Sequence, residues 1–579
     1  MKNKRDYNVF FNTHTVSGIV ISVGLFVIFL AGAFALFLDE INHWQEAKQR
    51  AEYRTDVDYD RVLSIVEEEG YNLEGRNMFI SYRENGNGYI QINSQALKVD
   101  SDSSQVEATS SNTSSADSIA KASIFMRINP DTYEVQAKEY KPNTAHLGDF
   151  LYHLHYFRQI PVVGIYIAGL VALFFAFAIF TGIIVHWNKI VSNFFTFRLK
   201  ASLKNLWTDA HTALGVLGLP FQLMYAITGA YFGIAILLYI PIVTIVFDGD
   251  QNKAFEMFRP KAKDTTGDVV VMNEDVKINP LVEESLAEVE GEEISFVFVQ
   301  LSNFGKEEAQ LAVNTRLAGN KHFLNNVRSN YRLADGALLA HKPVDENSYV
   351  ESVSATMGKL HFAQFGGYLV KTVYFVLAII TCFVIITGVL IWLAAREKKM
   401  YAHKANFNRN VGAIYLGACL GLYPAIALFF CMVKIFPLEM EGRFEIMEAI
   451  FFLSWLAFTI YAFIIKSNYK INQHALILAG VMGILIPVFS GLQSGLWLWK
   501  SLYSGYVDSF FIDVAWLCLG IISLVIALNT KPLETKKIVR KKLVSSSVTG
   551  TVPKMVKAKV MRPRVKEEVP VLKIRPTQS

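Results

Sequence analysis

An apolar helix written twice constrains this chain more than any other feature. Phe10 to Gly32 reads FFNTHTVSGIVISVGLFVIFLAG, and Trp207 to Gly229 reads WTDAHTALGVLGLPFQLMYAITG. In each copy a His-Thr pair, led by His14 or His211, is followed by glycine four residues after the His (Gly18, Gly215) and again eighteen after it (Gly32, Gly229). A second motif interleaves with the first. Leu154-His155 and Leu360-His361 each precede a Thr-Gly pair, Thr181-Gly182 and Thr387-Gly388, with the glycine 27 residues after the His. The order A, B, A, B marks a tandem duplication, so the fold must place two copies of one helix pair.

Those helices belong in a membrane. Of 579 residues, 52% are hydrophobic and 42 are Phe, more apolar side chain than a soluble core hides. Runs long enough to cross about 30 Å of hydrocarbon fall near residues 16–38, 161–187, 212–245, 367–394, 411–436, 447–465, 474–498 and 510–529. The fold class is an α-helical integral membrane protein of about eight transmembrane helices. Four form the tandem-duplicated core, each pair enclosing an outer α+β segment, and four more follow at the C-terminal end. The first run outlasts the roughly 7–15 apolar residues of a signal peptide and carries the repeat's His, so it is read as a retained span. Lys2, Lys4 and Arg5 precede span one, Lys189, Arg198, Lys200 and Lys204 lie between two and three, and Arg396, Lys398, Lys399, Lys404 and Arg409 follow four. All fall on one side, which predicts a cytoplasmic location for those loops and for both termini.

The divisions follow from these runs. Residues 1–45 hold the first span. Residues 46–150 are an extracytoplasmic α+β segment, with a helix near 57–69, a hairpin across Asn85-Gly86-Asn87-Gly88 and a flexible Ser- and Asp-rich insertion at 93–121. Residues 151–245 hold spans two and three, and 246–356 repeat the α+β pattern with a helix near 280–289 before several strands. Residues 357–400 hold span four, 401–530 the last four spans, and 531–579 a basic tail. That tail carries 14 Lys/Arg against three Glu, which more than accounts for the chain's net +5. It reads as a segment lying on anionic lipid; no DNA-binding pattern accompanies it, so nucleic acid is not an expected partner. All four cysteines, Cys382, Cys419, Cys431 and Cys518, fall inside the runs. None remains outside for a disulfide or for the Cys-x2-Cys-His attachment of a c-type haem.

With the N-terminus inside, His14 and His211 sit at the cytoplasmic boundary, and His155 and His361 at the outer one. A pseudo-twofold axis along the membrane normal would set His14 opposite His211 and His155 opposite His361. Ionisable residues in spans are costly and usually functional, and neutral imidazole is the commonest metal ligand. Two facing imidazoles suit the axial positions of a b-type haem, an electron-transfer arrangement with no open position for oxygen. Gly18, Gly215, Gly32 and Gly229 would let helices approach a flat ring closely; small-residue helix packing explains them equally well. His186, at the end of span two, and His153, two residues before His155, are alternative ligands. The counterpart of His186 by spacing is Trp392, which cannot ligate. The last four spans carry almost no charge and suggest no task.

The ordered set of His-x3-Gly in spans one and three, Leu154-His155 and Leu360-His361-Phe-x2-Phe-Gly-Gly before two and four, and the recurring Thr-Gly resembles the PepSY-associated transmembrane family over roughly residues 8–400. The resemblance implies periplasmic PepSY-like α+β domains, a bacterial inner-membrane location and two b-type haems held by His14, His211, His155 and His361. It implies electron transfer from a quinol or redox protein to a ferric siderophore, reducing Fe3+ to Fe2+ for iron uptake. Two departures stand out: span one has Ala31-Gly32 where the others have Thr-Gly, and the last four helices lie outside the family core. The alternatives are a cofactor-free PepSY-domain regulatory or binding protein and a component of iron-siderophore or haem transport.

Overall fold

The computed structural model describes residues 4–49, 54–83, 89–96, 122–138, 146–195, 198, 203–250, 277–318, 323–344, 346–396, 403–437 and 440–531. The Asn85–Gly88 turn, most of the Ser/Asp-rich insertion and nearly all of the basic tail lie outside these. In chain order the helices are α1 (Lys4–Ala35), α2 (Leu38–Glu46), α3 (Tyr59–Glu68), α4 (Leu147–His155), α5 (Gly164–His186), α6 (Ile190–Phe194), α7 (Leu203–Leu217) and α8 (Leu219–Val246). They continue as α9 (Ile278–Ala287), α10 (Tyr349–Phe362), α11 (Gly367–Ala395), α12 (Ala405–Ile435), α13 (Arg443–Ile465), α14 (Asn468–Ser494), α15 (Leu498–Tyr503) and α16 (Val507–Asn529). Among the described residues, seven helices, α1, α5, α11, α12, α13, α14 and α16, are long and apolar enough to cross a membrane, and the α7–α8 pair makes an eighth.

That eighth span is not the straight helix expected at 212–245. It breaks at Gly218 and bends by 70°, and Pro220, which lacks an N–H, takes the first turn of the helix that follows, where no intrahelical partner is lost. His211 and Gly229 therefore lie on different helices. Nor do His155 and His361 lead their spans. His155 is the last residue of α4 and His361 the penultimate residue of α10, and spans two and four begin afresh at Gly164 and Gly367. Gly366 and Gly367 carry the chain into α11 with positive φ, 79° and 57°, which favours glycine over any residue with a Cβ.

The two α+β segments between the spans form one sheet. Its order is β4-β3-β2-β1-β5-β6-β7-β8, with β1 (Met78–Arg83), β2 (Tyr89–Ser94), β3 (Ile124–Ile128) and β4 (Val135–Ala137) from the first segment. The second supplies β5 (Ile294–Ser302), β6 (Gln310–Leu317), β7 (Asn326–Arg332) and β8 (Leu338–Lys342). Every pairing is antiparallel, and the seam is β1 against β5, where Phe79 faces Gln300 and Ile80 faces Val299. Alternation puts Met78, Ile80, Ile90, Ile92, Val297 and Val299 on one face, buried in a core shared with Val62 and Val66 of α3 and Leu281 and Val282 of α9.

The two helices cap each other. The Asp60 carboxylate accepts from the backbone N–H of Ile278 at 2.8 Å and of Asn279 at 3.2 Å, while the Asn279 side-chain Oδ1 accepts from Tyr59 N–H at 2.7 Å. Each thus satisfies donors that a helix start leaves open. Burial pushes the neighbouring Asp58 carboxyl up, but bonds from the Arg61 N–H and the Asn279 amide outweigh it and hold the group below the usual carboxylate range. The stability Asp58 contributes is present above its unfolded pKa and fades as pH falls through the lowered folded value. Replacing Asp60 by Ala removes the cap on α9 and is expected to destabilise the sheet domain by about 1–2 kcal/mol, read as a lower unfolding midpoint by circular dichroism.

Candidate cofactor site

A histidine inside a helix bundle needs an acceptor for its ring N–H, and each of the four repeated histidines finds one on a helix of its own half. His14 Nδ1 lies 2.8 Å from the Ala178 carbonyl of α5, and His211 Nδ1 lies 2.9 Å from the Val384 carbonyl of α11. His155 Nδ1 meets the Ile28 carbonyl of α1 at 2.7 Å, and His361 Nδ1 meets the Thr228 hydroxyl of α8 at 2.8 Å. A carbonyl oxygen only accepts, and the Thr228 hydroxyl gives its own proton to the Met224 carbonyl at 2.9 Å. Nδ1 therefore carries the proton in all four rings, and Nε2, on the far side of each imidazole, keeps its lone pair.

Across the two halves the rings meet in pairs. His14 and His211 have centroids 6.2 Å apart, and His155 and His361 6.0 Å apart. Two imidazole nitrogens bound on opposite sides of one metal, each at about 2 Å, place the ring centroids on the order of 6 Å apart. Both pairs match that spacing. Among the described residues no three His, Cys, Asp or Glu side chains gather to hold a metal ion. Each site offers two nitrogens, which suits a metal that brings its other ligands in a macrocycle. Ile28 lies fourteen residues along α1 from His14, so the two pairs are separated by about 21 Å of depth.

Glycine makes the close approaches possible. A Cβ at Gly32 would stand 2.5 Å from His155 Nδ1, one at Gly182 would stand 3.0 Å from His14 Cε1, and one at Gly388 3.2 Å from His211 Cε1. Gly182 and Gly388 belong to the Thr-Gly repeat, whose spacing pointed at them without assigning a role. The other glycines singled out from sequence do not touch a histidine: a Cβ at Gly18 meets nothing within 4 Å, one at Gly215 only Val384, and one at Gly229 only Ala172. His186 lies within electrostatic reach of His14 and His211. His153 packs its ring against Tyr152 and Tyr156.

Beside the outer pair is a cavity of about 860 Å³, lined by His155, His361, Gly32 and Gly229 and walled by Phe29, Phe175, Phe221 and Tyr225. The volume lies within the range of cofactor pockets. Phe29 sits 5.5 Å from Phe175 and 6.1 Å from Tyr225, and the Tyr225 hydroxyl donates to the His361 carbonyl at 2.9 Å. Sequence reasoning missed Thr228 and Tyr225; the Thr-Gly repeat was the signal for the first, and no pattern marked the second.

Residues 11–395 match the PepSY-associated TM region family. The chain belongs to this family. Among curated proteins it is similar to the uncharacterized protein PA4219 of Pseudomonas aeruginosa, 22% identical over 352 residues, covering 58% of this chain and 84% of that protein. The family region closes with α11, and all four histidines fall inside it.

The helices beyond the family region are fastened to it by charge, contrary to the near-absence of charge read from their sequences. On α16, Asp508 and Asp513 are 3% and 0% exposed, and Lys434 of α12 is 4% exposed. His43 of α2 lies 2.6 Å from Asp508, which also accepts from the Tyr368 hydroxyl, and the Trp44 indole donates to Asp513 at 2.7 Å. Lys434 donates to the Trp44 and Gln45 carbonyls at 2.6 and 3.2 Å; within the family region, Lys371 pairs with Glu40 of the same α2 at 2.6 Å. Hydropathy averaged over a span hides single charges placed near one of its ends. Removing one member of a buried pair is costly, so Asp508→Leu is expected to lower stability by about 3 kcal/mol, measured as loss of the monodisperse peak after heating in detergent.

Proposed function

We propose that this multi-pass protein is a di-haem b electron-transfer protein of the bacterial inner membrane, with both termini cytoplasmic. It passes electrons from a quinol or redox protein to a ferric siderophore on the outer side, reducing Fe3+ to Fe2+. The observation that carries the reading is the set of four histidines with Nδ1 committed to an acceptor and Nε2 free, meeting in two pairs at the spacing of a shared axial metal. His14 and His211 would hold the inner haem, and His155 and His361 the outer one. When bound, a bis-histidine haem accepts and gives one electron and leaves no open coordination position. Fe3+ held by hard oxygen ligands is bound far more tightly than Fe2+, so one electron frees the metal.

The protein's own part is to set the rings before any cofactor arrives. The bonds made by Nδ1 fix tautomer and orientation, Gly32, Gly182 and Gly388 admit the rings against helix backbones, and aromatic side chains line the cavity beside His155 and His361. The reading is tested by the oxidised and dithionite-reduced spectrum of the purified protein with a pyridine haemochrome count. Two low-spin b-type haems per chain are expected; a haem-free spectrum after expression with ample haem would sink the proposal. His155→Ala and His361→Ala should each leave one haem, as should Gly32→Ala, whose Cβ collides with His155, whereas Gly229→Ala should keep two.

A further inference from the structure

The four braces are not equivalent. Three histidines give their Nδ1 proton to a backbone carbonyl, those of Ala178, Val384 and Ile28; His361 alone among them gives it to a hydroxyl, that of Thr228. The difference lies at a place where the two copies of the repeat differ. Thr228-Gly229 corresponds to Ala31-Gly32, and at Ala31 there is no hydroxyl, so His155 reaches past it to the Ile28 carbonyl. The other two threonines keep out of the primary bond. Thr181 turns its hydroxyl to the Phe177 and Ala178 carbonyls, and Thr387 bonds the Val384 carbonyl while standing 3.3 Å from His211 Nδ1.

A carbonyl in a helix is a stronger acceptor than a neutral hydroxyl, and the bond a ligand imidazole donates raises its basicity and its preference for the oxidised metal. We infer that Thr228 is a positioning residue that sets the outer haem at a higher reduction potential than the inner one, so that electrons run outward. The inference rests on the di-haem reading. Both inner histidines are braced by carbonyls and hold the oxidised state more strongly; the outer pair has one strong brace and one weak one. Thr228 touches the ring on the side away from any bound metal, so it acts only through His361.

The test uses the full-length protein in detergent and spectroelectrochemical midpoint potentials, after a haem count. His155→Ala, which keeps the inner haem alone, assigns the two midpoints. In the unaltered protein the outer midpoint should be the higher. Thr228→Val keeps the side-chain volume and removes the acceptor; the outer midpoint should rise further, by about the 59 mV that a tenfold change represents for one electron, with the inner midpoint unmoved. Thr228→Ser should return it close to its starting value. With two haems present, an outer midpoint at or below the inner one, no movement in Thr228→Val, or an equal movement of both overturns this inference alone. A protein without haem overturns the di-haem reading and this inference together.

Discussion

Everything at the centre of this protein depends on one bond made four times, from a histidine Nδ1–H to an acceptor on a helix of the same half. His14 leans on α5, His155 on α1, His211 on α11 and His361 on α8. Because each half orients its own two rings, the halves need only meet for the pairs to form. Four neutral imidazoles in apolar surroundings would otherwise leave four donors unsatisfied, at about 1–3 kcal/mol each. Bracing removes that cost and settles which nitrogen remains available.

The spans, the duplication and the facing pairs were legible because helix periodicity and apolar length are local properties. His14 and His211 recur at one offset from their glycines, and symmetry does the rest. What stayed hidden is non-local or lies in a single bond. The bend at Gly218, beside Pro220, lies among residues as apolar as those of α1, and Pro241, Pro424 and Pro487 leave their helices unbroken. The β1–β5 seam joins residues more than two hundred positions apart, and no alternation pattern states which strand edges will meet. Gly182 and Gly388 were visible as a repeat, but that they press against His14 and His211, rather than their own helix mates, emerges only from the packing.

The C-terminal helices show the same lesson in charge. Asp508, Asp513 and Lys434 are isolated letters in apolar runs, yet in the folded chain they converge on α2, which joins the first span to the sheet. Each buried charge would be prohibitive alone. Together, with His43, Trp44 and Tyr368 as partners, they give the extra bundle one docking position, beside the wall of the outer cavity that Lys371 also lines.

The seam of the sheet carries a history as well as a geometry. β1 and β5 are the first strands of their respective segments, and they lie antiparallel against one another, as corresponding strands of two identical subunits do across a twofold axis. The histidine pairs likewise join corresponding positions of the two copies. The chain is therefore organised as a homodimer whose two subunits have been fused. Fusion releases a pair of once identical positions from having to stay identical, and Ala31 and Thr228 are where that freedom was used beside a histidine. A symmetric dimer would have been held to one choice at both places; a single chain can make its two sides unequal and so give an otherwise symmetrical scaffold a direction.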